Sequence, residues 1–152
     1  PARNDLFTAA EQQGAFRNGE RVRVCDSTSF AQTLVGCGFY YDRGAMMRST
    51  LHAVEDFFAH DIHGIRRFGT ASLDLCHVGC GHYGAFFEYQ LSPWDFAAGR
   101  LFVEEAGGRV TDGRGDPLPL EMSSVVASNG KLHETAIEIT AKHHPPREGD
   151  DV

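Results

Sequence analysis

The chain has 152 residues, 41% of them hydrophobic and 11% aromatic, which suits one domain with a packed core and argues against low-complexity disorder. Its formal charge of −7 comes with no run of Lys or Arg, so a nucleic-acid surface is not expected, although bridging cations let an acidic protein bind phosphates. No apolar run is long enough to span a membrane and no secretion signal is read, so a reducing cytoplasm is the expected setting for Cys25, Cys37, Cys76 and Cys80.

The chain opens with two predicted strands, residues 6–10 and 21–25, joined through the turn dipeptide Asn18-Gly19. This hairpin (1–30) stands apart from the pattern that follows. It is expected to be the remnant of a neighbouring sheet, with its apolar face left exposed and adhesive. Residues 32–38 predict a strand that runs into the loop GFYYDRG. A helix follows over 45–60, with Met47, Leu51, Val54 and Phe58 on one stripe. Residues 64–68 form a short strand candidate.

The next predicted helix covers 70–80, with Leu73, His77 and either Cys76 or Cys80 on its inner side. Residues 83–91 (YGAFFEYQL) read as an aromatic strand. A helix then opens at Pro93 and stops at Gly107-Gly108. Short strands at 109–112 and 124–128 flank the turn-rich GRGDPLPL, and the last helix covers 131–143. The tail, 145–152, is expected to be disordered. The alternation over 31–144 predicts an α/β domain: a mixed sheet of about five strands with helices on both sides.

Three places carry chemistry. In LSPWDFAAG, Ser92 suits the N-cap, Pro93 the first helical position and Asp95 the third. Asp95 reads two ways there, as a carboxylate capping free N–H groups or as a metal ligand beside a phosphate. Trp94 reads either as a wall of that site or as a core residue. In FGTAS, Gly69 lets the backbone approach a ligand, and Thr70 caps the helix or bonds a substrate hydroxyl. Glu88 shares a strand face with Phe86 and Gln90, solvent-facing or functional.

Other candidates are weaker. Cys76 and Cys80 flank His77 without the usual C-x-x-C spacing of zinc sites, and His60-x-x-His63 reads as incidental. Asp42 and Asp74 can be grouped with Asp95 as an alternative carboxylate cluster, but Asp74 reads as a solvated helix acid. Asp112 and Arg114-Gly115-Asp116 read as turn chemistry. No G-x-S-x-G elbow supports serine nucleophile catalysis.

The ordered set GTASLDLC, FFEYQLSPWDFAAG, VEEAGGRVTD and VVASNGKLHE resembles the inositol monophosphatase family. GFYYDR and FTAAEQQGAFRNGERVRV are similar to its bacterial members, and the resemblance runs to about His143. It implies the C-terminal part of the layered α-β-α-β-α sugar-phosphatase fold. It also implies Mg²⁺-dependent hydrolysis of an inositol phosphate or a related small sugar phosphate, in a homodimer. Asp95 corresponds to a metal carboxylate that also orients a substrate hydroxyl. Gly69, Thr70 and Ala71 correspond to the segment contacting the substrate ring, and Glu88 to the acid bonding its hydroxyls. Arg66 falls where a family arginine lies near that acid and the subunit interface. Tyr40 and Tyr41 fall at the substrate mouth with no role assigned.

The family's Glu-Glu pair and its Asp-Pro-Ile/Leu-Asp-Gly-Thr motif do not occur in this sequence. The resemblance therefore implies a C-terminal portion whose partner is a missing N-terminal segment bearing most metal ligands. No residue of this chain is assigned the water-activating role, and the chain alone is expected to be nearly inactive. The alternative is a non-catalytic binding or assembly domain derived from the family.

Overall fold

The computed structural model describes residues 4–146. Asn18 (φ +52°) and Gly19 (φ +82°) do form a hairpin turn, but it joins β2 (Gly14–Arg17) to β3 (Glu20–Val22). An earlier turn joins β1 (Phe7–Ala10) to β2, so the expected two-stranded hairpin is a three-stranded antiparallel sheet. Glu105 holds that earlier turn, accepting from the Gln12 and Gly14 N–H groups, each at 2.7 Å. A four-residue strand opening on glycine gives too short an apolar pattern to be read locally, and its partner acid lies far along the chain.

The second sheet has five strands in the order β5-β4-β6-β8-β7. β4 (Leu34–Cys37) lies parallel to β5 (Gly64–Arg66) and to β6 (Ala85–Leu91). β8 (Ser123–Ser128) runs antiparallel to β6 and to β7 (Arg109–Thr111), which makes the sheet mixed, as expected. Between Glu88 and Leu91, β6 advances three residues while β8 advances two. This bulge moves Leu91 onto the same core face as Phe86.

Helices cover both faces. α1 (Ala45–Ala59) and α4 (His133–Lys142) pack on one side, where Phe57, Phe87, Val126 and Ile139 meet. α2 (Ala71–Gly79) and α3 (Pro93–Glu105) pack on the other, where Leu75, Phe86, Phe96 and Val125 meet. Phe57, Phe86, Phe87 and Phe96 are fully buried, each contributing about 1.5–3 kcal/mol of transfer free energy. The outer face of α2 and α3 is covered in turn by the three-stranded sheet: Phe7, Ala9, Ala15 and Val22 lie against Phe102, Ala106, Cys76 and Cys80. The apolar face expected to be exposed is thus largely packed, with Leu6 at the edge remaining 64% exposed.

Two helix faces differ from those expected, one of them because of that sandwich. α2 is covered on two sides, so Leu75 and Val78 are buried toward one sheet and the cysteines turn toward the other, while Leu73 is exposed. In α1 the buried stripe is Thr50, Ala53 and Phe57, one position off the predicted one, and Leu51 and Phe58 are exposed. α2 and α3 approach closely because each presents a glycine. A Cβ on Gly79 would sit 2.5 Å from the Phe102 ring, and one on Gly99 2.5 Å from Leu75 Cδ1. Of the predicted tail, Pro145 is buried and its carbonyl accepts from Arg114 at 3.3 Å. Residues 147–152 lie outside the described residues.

Candidate functional site

The starts of α2 and α3, the end of β4 and the later half of β6 converge on one cavity of about 490 Å³. Gly69 (φ +83°) turns the chain from β5 into α2, a conformation that costs glycine little. The Thr70 carbonyl accepts from the Leu73 and Asp74 N–H groups at 3.0 Å each. Its side chain makes no capping bond and lines the cavity with Gly69, Ala71 and Ser72.

At α3, the Asp95 carboxylate accepts from the Ser92 N–H at 3.0 Å, and Pro93 occupies the first turn. Asp95 thus caps its helix, and it also lines the cavity. Trp94 is 83% exposed at the rim, so it walls the site and is not a core residue. Proline at the first helical position fixes the turn, and the next side chain projects outward.

Glu88 lines the cavity from β6, together with Gln90. Burial first, and then the charges of Asp74 and Asp95, push its carboxyl up to about 7, against the opposing pull of Arg67. Asp74 is not a solvated helix acid. It is 1% exposed, its Oδ1 has no hydrogen-bond partner, and burial raises it to about 6. The Tyr83 hydroxyl interacts with it electrostatically, yet that hydroxyl is also buried without a completed hydrogen bond. Asp42 does not join a carboxylate cluster. Its oxygens accept from the Gly44 and Met46 N–H groups at 2.7 and 3.0 Å, capping α1.

The predicted residues Gly69, Thr70, Ala71, Glu88 and Asp95 all border this one cavity. Tyr40 and Tyr41 border it too, with ring centroids 5.8 Å apart. Arg66 does not: its guanidinium donates to the Ile65 carbonyl at 2.8 Å. The neighbouring Arg67 lines the cavity, 5.6 Å over the Phe39 ring. Gly38, Phe39, Arg67 and Met122 also line it without having been assigned a role from the sequence; the GFYYDR segment and the arginine pair Arg66-Arg67 were the signals available for the first three.

A larger cavity, about 760 Å³, shares Gln90 and Met122 with the first but borders none of the predicted residues. The smaller one holds Glu88, Asp95 and both helix starts, and is the candidate site. Its donor set suits a hard cation, with carboxylate oxygens and no thiol or imidazole. Yet among the described residues no group of three or more His, Cys, Asp or Glu is placed to hold a metal ion. Asp112, as expected, serves a turn, accepting from the Arg114 and Asp116 N–H groups at 2.8 and 2.9 Å. Among the described residues no helix is long and apolar enough to cross a membrane.

A family model described as the inositol monophosphatase family matches residues 1–144. A putative Nus factor SuhB of Neisseria meningitidis is 43% identical over 94% of this chain and 54% of its own length. An inositol-1-monophosphatase of Synechocystis is 37% identical over 88% of this chain and 46% of its own length. Among solved structures, an inositol monophosphatase from Anabaena superposes with a TM-score of 0.80 at 34% identity, covering 95% of this chain and 56% of that one. The chain spans about half the length of the curated relatives it matches.

Proposed function

Because the chain belongs to the inositol monophosphatase family, we propose that it forms the alcohol-binding side of a phosphomonoesterase site acting on inositol phosphate or a similar small sugar phosphate. The observation that carries this reading is the convergence of Glu88, Asp95 and the Gly69–Thr70 helix start on one cavity. Two helix N-termini there offer N–H groups to an anion. Glu88 offers hydrogen bonds to ring hydroxyls, and the walls of Tyr40 and Trp94 enclose the ring.

The cofactor we assign is a divalent metal, Mg²⁺ by its preference for oxygen ligands, with Asp95 as the one carboxylate this chain contributes to it. When bound, such an ion neutralises phosphoryl oxygens and lowers the pKa of an attacking water. One carboxylate makes a weak site, so turnover is expected to need acidic ligands beyond those described here, from a missing N-terminal segment. A homo-oligomer is part of the same proposal, supported by exposed Leu51, Phe58 and Phe68. Four free cysteines support a reducing cytoplasm.

The test is phosphate release from a panel of inositol and sugar monophosphates, with and without Mg²⁺, by the chain and its Asp95→Asn variant. Magnesium-dependent turnover lost in the variant supports a site that completes itself. No turnover together with no binding of inositol monophosphate would sink the reading. A second reading, a non-catalytic binding or assembly domain, is favoured by the sparse acid set and by relatives named as Nus factors.

A further inference from the structure

We propose that Gly38 is a specificity-determining position of this site. By leaving its side-chain space empty it seats the Glu88 carboxyl against the end of β4, where that carboxyl meets the hydroxyls of a polyol ligand. The inference rests on the alcohol-binding reading above and deepens it by naming what aims the acid.

A Cβ built on Gly38 would lie 1.8 Å from Glu88 Oε2, 2.2 Å from Cδ and 2.8 Å from Oε1. The whole carboxyl group therefore occupies the volume that any other residue at position 38 would fill. A conflict of that depth is not relieved by shifts of a few tenths of an ångström; the Glu88 side chain has to change rotamer. Backbone conformation does not explain the glycine, because Gly38 is not among the residues with positive φ. Its N–H donates to the Phe87 carbonyl at 3.1 Å, which fixes β4 against β6 one residue before the acid.

The arrangement is held from the other side as well. Arg67 attracts the Glu88 carboxyl and stacks over Phe39, the residue after Gly38. Gly38, Phe39, Arg67 and Glu88 all border the same cavity. Since the clashing atoms are the far end of a flexible side chain, a substitution at 38 redirects the acid more than it disturbs the fold. A carboxylate–hydroxyl bond lost in this way corresponds to about tenfold in affinity.

The experiment compares Gly38→Ala, Glu88→Asp and the double variant with the unaltered chain. Binding of myo-inositol monophosphate and of inorganic phosphate is measured by calorimetry, each with and without Mg²⁺, and thermal melts are recorded. Gly38→Ala should weaken inositol monophosphate about tenfold, leave inorganic phosphate unchanged and barely move the melt. The double variant, whose acid is one methylene shorter, should recover part of the loss. Equal preference for the polyol phosphate in Gly38→Ala and the unaltered chain overturns the proposal. So does misfolding of both Gly38→Ala and the double variant, because position 38 then serves the fold. If Gly38→Ala alone misfolds and the double variant folds and discriminates, the space conflict with Glu88 is supported. An unaltered chain that binds inositol monophosphate no better than inorganic phosphate defeats the alcohol-binding reading itself, whatever Gly38→Ala does.

Discussion

Asp95 and Ser92 bond to each other in both directions: the Asp95 carboxylate accepts from the Ser92 N–H at 3.0 Å, and the Asp95 N–H donates to the Ser92 carbonyl at 2.9 Å. Structural and proposed chemical roles therefore meet in one side chain. Asp95→Asn keeps an acceptor for the Ser92 N–H and loses only the charge at the helix N-terminus. It should cost about 0.5–1 kcal/mol in chemical denaturation. Mg²⁺ binding, followed by titration calorimetry, should fall far more steeply than stability does.

Asp74 gives a pH signature. Its carboxyl is raised from 3.8 to about 6, so the folded protein holds the proton more tightly than the unfolded chain does. Stability from this group is present in full below pH 3.8 and is lost as pH rises through about 6. Glu88, raised from 4.5 to about 7, acts in the same direction. Asp74→Asn should therefore be more stable than the unaltered chain at pH 8, by on the order of 2 kcal/mol, with a flatter profile between pH 4 and 7. Urea melts across that range check it. A variant less stable at pH 8 would show that the buried charge has partners that outweigh its desolvation.

His133 acts in the opposite sense. It is fully buried between Ser128 Oγ at 2.9 Å and Thr111 Oγ1 at 3.0 Å, and burial lowers it from 6.5 to about 4. The unfolded chain takes up this proton first, so the stabilising contribution is complete above pH 6.5 and fades as pH falls through about 4. His133→Ala leaves both hydroxyls without their imidazole partner and opens a cavity, at a cost of about 3 kcal/mol. Its melting temperature should also lose the acid-side slope that this histidine imposes.

The helix crossing is sensitive to single methyl groups. Gly99→Ala would drive a Cβ to 2.5 Å from Leu75 Cδ1 and 2.7 Å from Leu75 Cβ, with little room for either helix to retreat between two sheets. A loss of about 2–3 kcal/mol is expected in denaturant titration. Gly107→Ala makes a useful contrast. A Cβ there meets nothing within 4 Å, so only the φ of +90° opposes it and the loss should be near 1 kcal/mol.

The site was more legible in the sequence than the packing around it. Glu88 and Asp95 fall on a strand and a helix start joined through the single residue Ser92, so local rules place them together. Asp74 was misread because α2 carries apolar residues on two sides, and a helix between two sheets has no polar face to give its burial away. Trp94 reads two ways in the sequence because large aromatic residues are mostly core, and nothing local marks one that projects from a first turn. Gly38 was invisible for a different reason. Its meaning is the volume it leaves empty, and that volume belongs to a residue fifty positions later.

The bulge in β6 bears on insertions and deletions. Without the extra residue between Glu88 and Leu91, Leu91 would point away from the core face it shares with Phe86, and the strand would enter α3 with its side-chain parity reversed. The seven-residue interval from Glu88 to Asp95 is therefore a fixed length. A deletion or insertion there should separate the two carboxylates even where every remaining residue type is kept.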